Sequence, residues 1–171
     1  MGRNMFYFLI CVFAALKLGQ ASSFKVQESK ENITITSQQV EYETASQICH
    51  VTGQAKAQWD NGQVVTAHTF LILLNKKNEI ETIEATSGST ENVTFQKDDL
   101  TMQAKKCVYT VSPIEQIHCF QSVRLVKKGA NTLQGDECIM NPKTGHYRII
   151  SKTSRPVQAK VTFEKKKKTH E

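Results

Sequence analysis

The chain has 171 residues, 39% of them hydrophobic, with a mean hydropathy of −0.39 and a formal net charge of +6. That hydropathy excludes a polytopic membrane protein, the composition excludes wholesale disorder, and the length suits one domain with its own apolar core. Basic residues gather in the run Lys165–Lys168 and nowhere interleave with aromatics as a nucleic-acid groove requires, so nucleic acid is excluded as the main ligand.

Only the N-terminus is strongly apolar. Arg3, the apolar run Phe6 to Leu16 and the small-x-small step Gly19-Gln20-Ala21 read as a secretory signal over residues 1–21, with mature protein beginning near Ser22. Lys17 stops the run short of the roughly 18 to 20 apolar residues of a spanning helix, which favours cleavage over the alternative of a retained anchor. Cys11 lies inside the run and not behind small residues at its end, so lipoprotein attachment is not expected. Loss of Arg3 and Lys17 with no acid brings the charge from +6 to +4.

From residue 22 onward the signal is almost wholly strand: Thr, Val, Ile, Gln and Tyr alternate over short stretches, with no sustained helical period. The first unit, Ile35-x-Ser37-x-x-Val40-x-Tyr42, leads into a return strand, Cys49-x-Val51-x-Gly53-x-Ala55-x-Ala57-x-Trp59, which ends at the turn Asp60-Asn61-Gly62. The unit recurs as Val65-x-Ala67-x-x-Phe70-x-Ile72, followed by turn formers at Ser87-Gly88 and the pair Val93 and Phe95. It recurs again as Met102-x-Ala104-x-x-Cys107-x-Tyr109, with a turn at Ser112-Pro113 and a return strand Ile117-x-Cys119-x-Gln121-x-Val123-x-Leu125. The fourth copy is Leu133-x-Gly135-x-x-Cys138-x-Met140, before the turn Pro142-Lys143-Thr144-Gly145 and a last strand Val157-x-Ala159-x-Val161-x-Phe163.

A strand places alternate residues on one face, so the x-x step in each unit predicts a bulge that re-aims the strand around a curved sheet. The small residue before it suits close backbone approach. Residues 33–85 and 101–150 resemble one another, as a duplicated hairpin array would. The expected fold is all-β, with stacked antiparallel hairpins around a long apolar interior; a closed sandwich with a dry core is the alternative.

These stretches resemble the OstA-like, or LptA-type, proteins of lipopolysaccharide transport. The resemblance covers residues 33–163 and rests on Ile35-Thr-Ser-Gln-Gln-Val-Glu-Tyr42, Val51-Thr-Gly-Gln-Ala-Lys-Ala57, Val65-Thr-Ala-His-Thr-Phe70, Leu133-Gln-Gly-Asp-Glu-Cys-Ile-Met140 and Pro142-Lys-Thr-Gly145, in that order. His68, where the family often has Asp, and four cysteines after the leader are departures from it.

The resemblance implies an open, twisted β-jellyroll over residues 22–164 with a basic tail at 165–171. Its groove would hold the acyl chains of lipopolysaccharide in the periplasm of a Gram-negative cell. It implies head-to-tail self-association and partners in the Lpt machinery at the inner and outer membranes; a membrane-anchored relative of that machinery is an alternative. Groove candidates are Ile35, Val40, Tyr42, Val51, Phe70, Ile72, Val93, Phe95, Met102, Tyr109, Leu125 and Met140, each also readable as ordinary core. Of these, Ile35, Phe95 and Tyr109 match the family's groove-lining motif positions. Ile33 and the stretch Val157, Ala159, Val161 and Phe163 are the expected oligomer edges.

Alternation places Cys49, Cys107, Cys119 and Cys138 on the inward face. Cys107 and Cys119 flank the Ser112-Pro113 turn almost symmetrically and are the first candidates for a disulfide; four buried thiols acting as small apolar residues are the alternative. Neither Cys49-His50 nor His118-Cys119 can grip one metal ion, because neighbours on a strand point to opposite faces. No nucleophile elbow, phosphate loop or metal-protease helix occurs, and Glu79, Glu81 and Glu84 fall on a polar strand face, so neither catalysis nor a cofactor is expected. Asn32-Ile-Thr and Asn92-Val-Thr are glycosylation sequons by pattern alone.

Overall fold

The computed structural model describes residues 22–28, 31–111, 114–128, 131–154 and 156–161. The leader, Phe163 and the lysine run lie outside them. Among the described residues, thirteen antiparallel strands form one sheet: β1 (Ser22–Glu28), β2 (Glu31–Ser37), β3 (Gln39–Glu43), β4 (Ile48–Trp59), β5 (Val64–Leu74), β6 (Ile80–Thr86), β7 (Val93–Lys97), β8 (Leu100–Ala104), β9 (Lys106–Thr110), β10 (Gln116–Lys127), β11 (Asn131–Met140), β12 (Tyr147–Ile150) and β13 (Gln158–Lys160).

The sheet is folded along its length. β4 pairs with β2 through its C-terminal half and with β3 through its N-terminal half; β5 is divided in the same way between β7 and β6, β10 between β8 and β9, and β11 between β13 and β12. Two wings result. Wing one holds β1, β2, β7, β8 and β13 with one half of each long strand, and wing two holds β3, β6, β9 and β12 with the other halves. The bends align at Gln38, Gly53-Gln54 and His68 in the first half of the chain, and at Lys105, Gln121-Ser122 and Asp136 in the second. This is the structural form of the internal duplication.

The register corrects the expected position of the bulges. Thr52 and Ala55 oppose Thr69 and Ala67, and Phe120 and Val123 oppose Glu137 and Gly135, so the extra residue belongs to the return strands β4 and β10 and not to the repeated units. Gly53, Gln54, Gln121 and Ser122 all take left-handed backbone (φ 81°, 49°, 63° and 55°), the conformation that turns a strand sharply. Gln121, the counterpart of Gly53, is accordingly exposed. In the units themselves the bend passes through one polar residue after the small one. At Gly135 a Cβ would stand 2.5 Å from Ile149 Cγ2 and 3.0 Å from the Ile150 carbonyl, which explains the small residue there. Ser87-Gly88 is not a hairpin turn: it lies in the crossing from β6 to β7, where Gly88 packs against the His68 ring.

Asp136 secures the last crossing. Its Oδ2 accepts from the amides of Lys152 (2.7 Å) and Thr153 (3.0 Å) and from the hydroxyls of Ser151 and Thr153. Next to it Glu137 pairs with Lys152 and with His118 Nε2 (3.3 Å). The Thr153 and Lys152 amides hold the Asp136 carboxyl below its ordinary range, and Lys152 followed by His118 does the same for Glu137. A folded-state value below the unfolded one makes this anchorage complete at neutral pH and lost as pH falls through the folded value. Amide hydrogen exchange should therefore show protection of Lys152 and Thr153 at pH 7 that disappears in acid below the normal carboxylate range. Asp136→Asn should weaken that protection at pH 7 while the β4–β5 ladder keeps its own.

Candidate functional site

The inner faces of the wings are made of continuous cross-strand rows. One row in wing one runs Ile35, Ala57, Val65, Phe95, Met102, Leu125, Leu133 in register from β2 to β11. In wing two, Val40, Val51, Phe70, Ala85, Cys107, Cys119, Cys138 form a second row. A third is Tyr42, Cys49, Ile72, Ile83, Tyr109, Ile117, Met140. Strict alternation produces them: one inward side chain per pleat, with polar neighbours outward. Val93 faces the same interior beside Ala104.

All twelve groove candidates thus meet in one place. Ten belong to the fully buried cluster, while Val40 and Tyr42 are partly buried and pack against it. The interior is full. A cavity of about 20 Å³ remains, between Trp59, Gln63, Val65, Ile83, Phe95 and Tyr109, which is room for about one water. Trp59 Nε1 is buried there with no acceptor among the described residues. Because Phe95 is 1% exposed, a charge placed at that position would test folding before it tested any ligand.

Closure differs between the two long sides. On the bend side the wings are joined by main chain at every long strand. On the other side lie the turns at 44–47, 75–79, 114–115 and 141–146 of wing two, and those at 60–63 and 98–99 of wing one; among the described residues no ladder crosses between them. Side chains close this side: the Trp59 ring meets Tyr109 edge-on (5.6 Å, 85°), and Lys97 Nζ donates to the Pro142 carbonyl (2.9 Å). Tyr109 in turn donates to Glu115 Oε1 (2.9 Å), and Lys143 pairs with the same carboxylate.

Beside the Lys97–Pro142 contact an open cleft of about 320 Å³ separates the β7–β8 and β11–β12 turns. Phe95, Leu100, Met140, Pro142 and Tyr147 contribute its apolar lining, and Lys97, Lys127, Lys143, Asp98 and Asp99 its charged part. Phe95 and Met140 belong also to the core, so the floor of the cleft is the margin of the packed interior. Sequence reasoning missed Trp59 and Lys97 as closing residues, Gln63 as a buried lining residue of the small cavity, and Glu115 as the partner that holds Tyr109. The available signal was their position at strand ends, one residue before Asp60-Asn61-Gly62 for Trp59.

The cysteines among the described residues fall on one wing. Cys107 and Cys119, directly opposed on β9 and β10, form a disulfide (S–S 2.00 Å), and Cys49 and Cys138 are free and buried. Burial pushes both free thiols up to about 11. No group of three metal-ligating side chains comes together among the described residues.

The ends of the sheet supply strands that, among the described residues, are paired on one side only. β1 and β3 border one end and β12 and β13 the other. Ile33 does not lie at an edge: β1 covers β2, Ile33 is paired between Val26 and Trp59, and it is fully buried. Val157, Ala159 and Val161 are exposed at and around β13, which pairs only with β11.

A long antiparallel sheet folded once along its length, with one side hinged by bent strands and both ends unpaired, is a twisted open β-jellyroll of the LptA-like kind. The fold matches that of LptH from Pseudomonas aeruginosa, described as the LptA homologous periplasmic component of the conserved lipopolysaccharide transport device. The TM-score is 0.64 over 76% of this chain and 94% of that one, at 10% sequence identity. The likeness is one of fold. No protein-family model and no curated protein matches the sequence.

Dense packing of the inner rows has a measurable consequence. Phe95→Ala should lower unfolding stability by about 3–5 kcal/mol in urea titrations, the cost of emptying a closed core. A loss under about 1 kcal/mol would mean that the wings already stand apart in solution.

Proposed function

We propose that the protein is a periplasmic carrier of lipopolysaccharide, which takes acyl chains between its wings and joins other copies, and Lpt components at the inner and outer membranes, edge to edge. The fold shared with LptH supports this reading. The observation that carries it is the asymmetry of closure: a continuous apolar interior whose one long side is shut, among the described residues, by side-chain contacts and no ladder, next to a cleft floored by core residues.

Opening that side breaks no main-chain hydrogen bond of the ladders among the described residues. It does expose apolar surface, at about 25 cal/mol per Å², which keeps an empty carrier shut. Acyl chains restore the burial at roughly 0.8 kcal/mol per methylene, so the open state is favoured only while lipid fills it. A phosphorylated head group would be met at the mouth by Lys97, Lys127 and Lys143 as point charges, in exchange for their present partners, the Pro142 carbonyl, Asp99 and Glu115. Strand addition at β1 and β3 of one copy by β12 and β13 of the next supplies partners for the edge N–H and C=O groups.

A second reading, a structural module with a dry core, is favoured by one specific observation, the side-chain filling of the interior. Native mass spectrometry after exposure to lipopolysaccharide separates the two. The carrier should show glycolipid adducts together with an oligomer ladder, and truncation after Pro156 should shorten the ladder and spare the adducts. Lipid-free protein at every concentration contradicts the carrier and supports the module.

A further inference from the structure

Three cysteines stand on one line across three neighbouring strands. Cys119 of β10 is in direct register with Cys107 of β9 on one side and with Cys138 of β11 on the other, and all three point inward. The disulfide occupies the Cys107–Cys119 rung, and Cys138 is the free thiol on the far side of the shared sulfur. We propose that this row is a site of thiol–disulfide exchange, in which Cys138 attacks Cys119 and moves the bond from the β9–β10 rung to the β10–β11 rung.

The step balances without an outside oxidant or reductant. Cys138 gives up its proton, its thiolate forms a bond to Sγ of Cys119, the bond between Cys119 and Cys107 breaks, and Cys107 leaves as a thiolate that takes up a proton. One disulfide and one thiol stand on each side. Attack on a disulfide needs the incoming sulfur in line with the S–S bond, on the side of the attacked sulfur opposite the leaving one, and three in-register positions on successive strands supply that order directly.

The two rungs are not equivalent. In antiparallel pairing a residue whose N–H and C=O point away from one neighbour points them at the other, so one rung is narrow and the next wide. Cys107 and Cys119 hold the narrow rung, with Cα atoms 4.0 Å apart. Cys119 and Cys138 therefore span the wide one, about 5.5 Å in regular sheet. That distance is within disulfide reach, but Cβ atoms stand farther apart on a wide rung than on a narrow one, so a bond there requires a larger adjustment. The Cys107–Cys119 bond is thus the resting state and the Cys119–Cys138 bond the minor, more reducible one.

Position gives the exchange its significance. Both bonds join consecutive antiparallel strands, but the resting bond ties β10 to β9, whereas the shifted bond ties it to β11, the strand that carries both β12 and β13. Burial keeps the Cys138 thiol largely protonated, so exchange in the closed protein is slow, and separation of the wings speeds it. Cys49 lies in the adjacent row, opposite Tyr42 and Ile72, and takes no part.

The test is disulfide mapping of oxidised, folded, full-length protein by acid quench, pepsin digestion and mass spectrometry. In the wild type the Cys107–Cys119 peptide should dominate, with a minor Cys119–Cys138 peptide that grows when sub-denaturing urea loosens the interior and is absent from Cys138→Ser. In Cys107→Ser the Cys119–Cys138 peptide should become the main species. Absence of that peptide from the wild type in urea and from Cys107→Ser overturns the proposal. The wild-type arm stands whether or not the variants fold.

Discussion

Main-chain pairing decides what this molecule can do. Every long strand bends at the same level, so the ladders of the two wings are continuous with one another along one side and independent along the other. Hydrogen bonds hold each wing as a rigid unit, and the space between them is governed only by side-chain packing. A sandwich built from two separate sheets has no such asymmetry, and a closed barrel has no free side at all. The aligned bends at Gly53-Gln54 and Gln121-Ser122 therefore act as a spine, with the interior as the variable part.

Two demands compete inside. A carrier must offer apolar surface to a ligand, yet an apolar trough left open to water is costly and invites aggregation. Here Phe70, Phe95, Met102, Leu125 and Met140 satisfy one another in the closed state, and the edge-on Trp59–Tyr109 pair completes the seal. Replacing side-chain contacts by acyl-chain contacts changes little in kind, because both are non-directional burial. The cleft at Lys97 and Lys143 marks where the seal is thinnest, since the turns on either side of it belong to different wings.

Legibility in the sequence followed the physics of each signal. The inward rows were readable because strand alternation is local: Cys49 to Trp59 and Ile117 to Leu125 declare their buried face in ten residues. The fourfold unit and the bend within it were readable for the same reason. The owner of the extra residue was not, because a bulge is defined by register against a partner strand, and Gln121 gives no hint that it sits in left-handed backbone as Gly53 does. Ile33 read as an edge because nothing local says that β1 will cover β2. The closing contacts Lys97–Pro142 and Trp59–Tyr109 join residues 45 and 50 positions apart and depend on the fold as a whole.

The central claim is that the wings separate along the side that no ladder crosses. Spin labels carried on non-natural amino acids at Asn61 and Ile114, in turns of opposite wings near the Trp59–Tyr109 contact, would leave the cysteines untouched and report that separation by pulsed dipolar spectroscopy. Lipopolysaccharide should lengthen the main distance by several ångströms, while a control pair within wing two, at His50 and Glu84, keeps its own. An unchanged Asn61–Ile114 distance in protein that carries bound lipid would contradict the account.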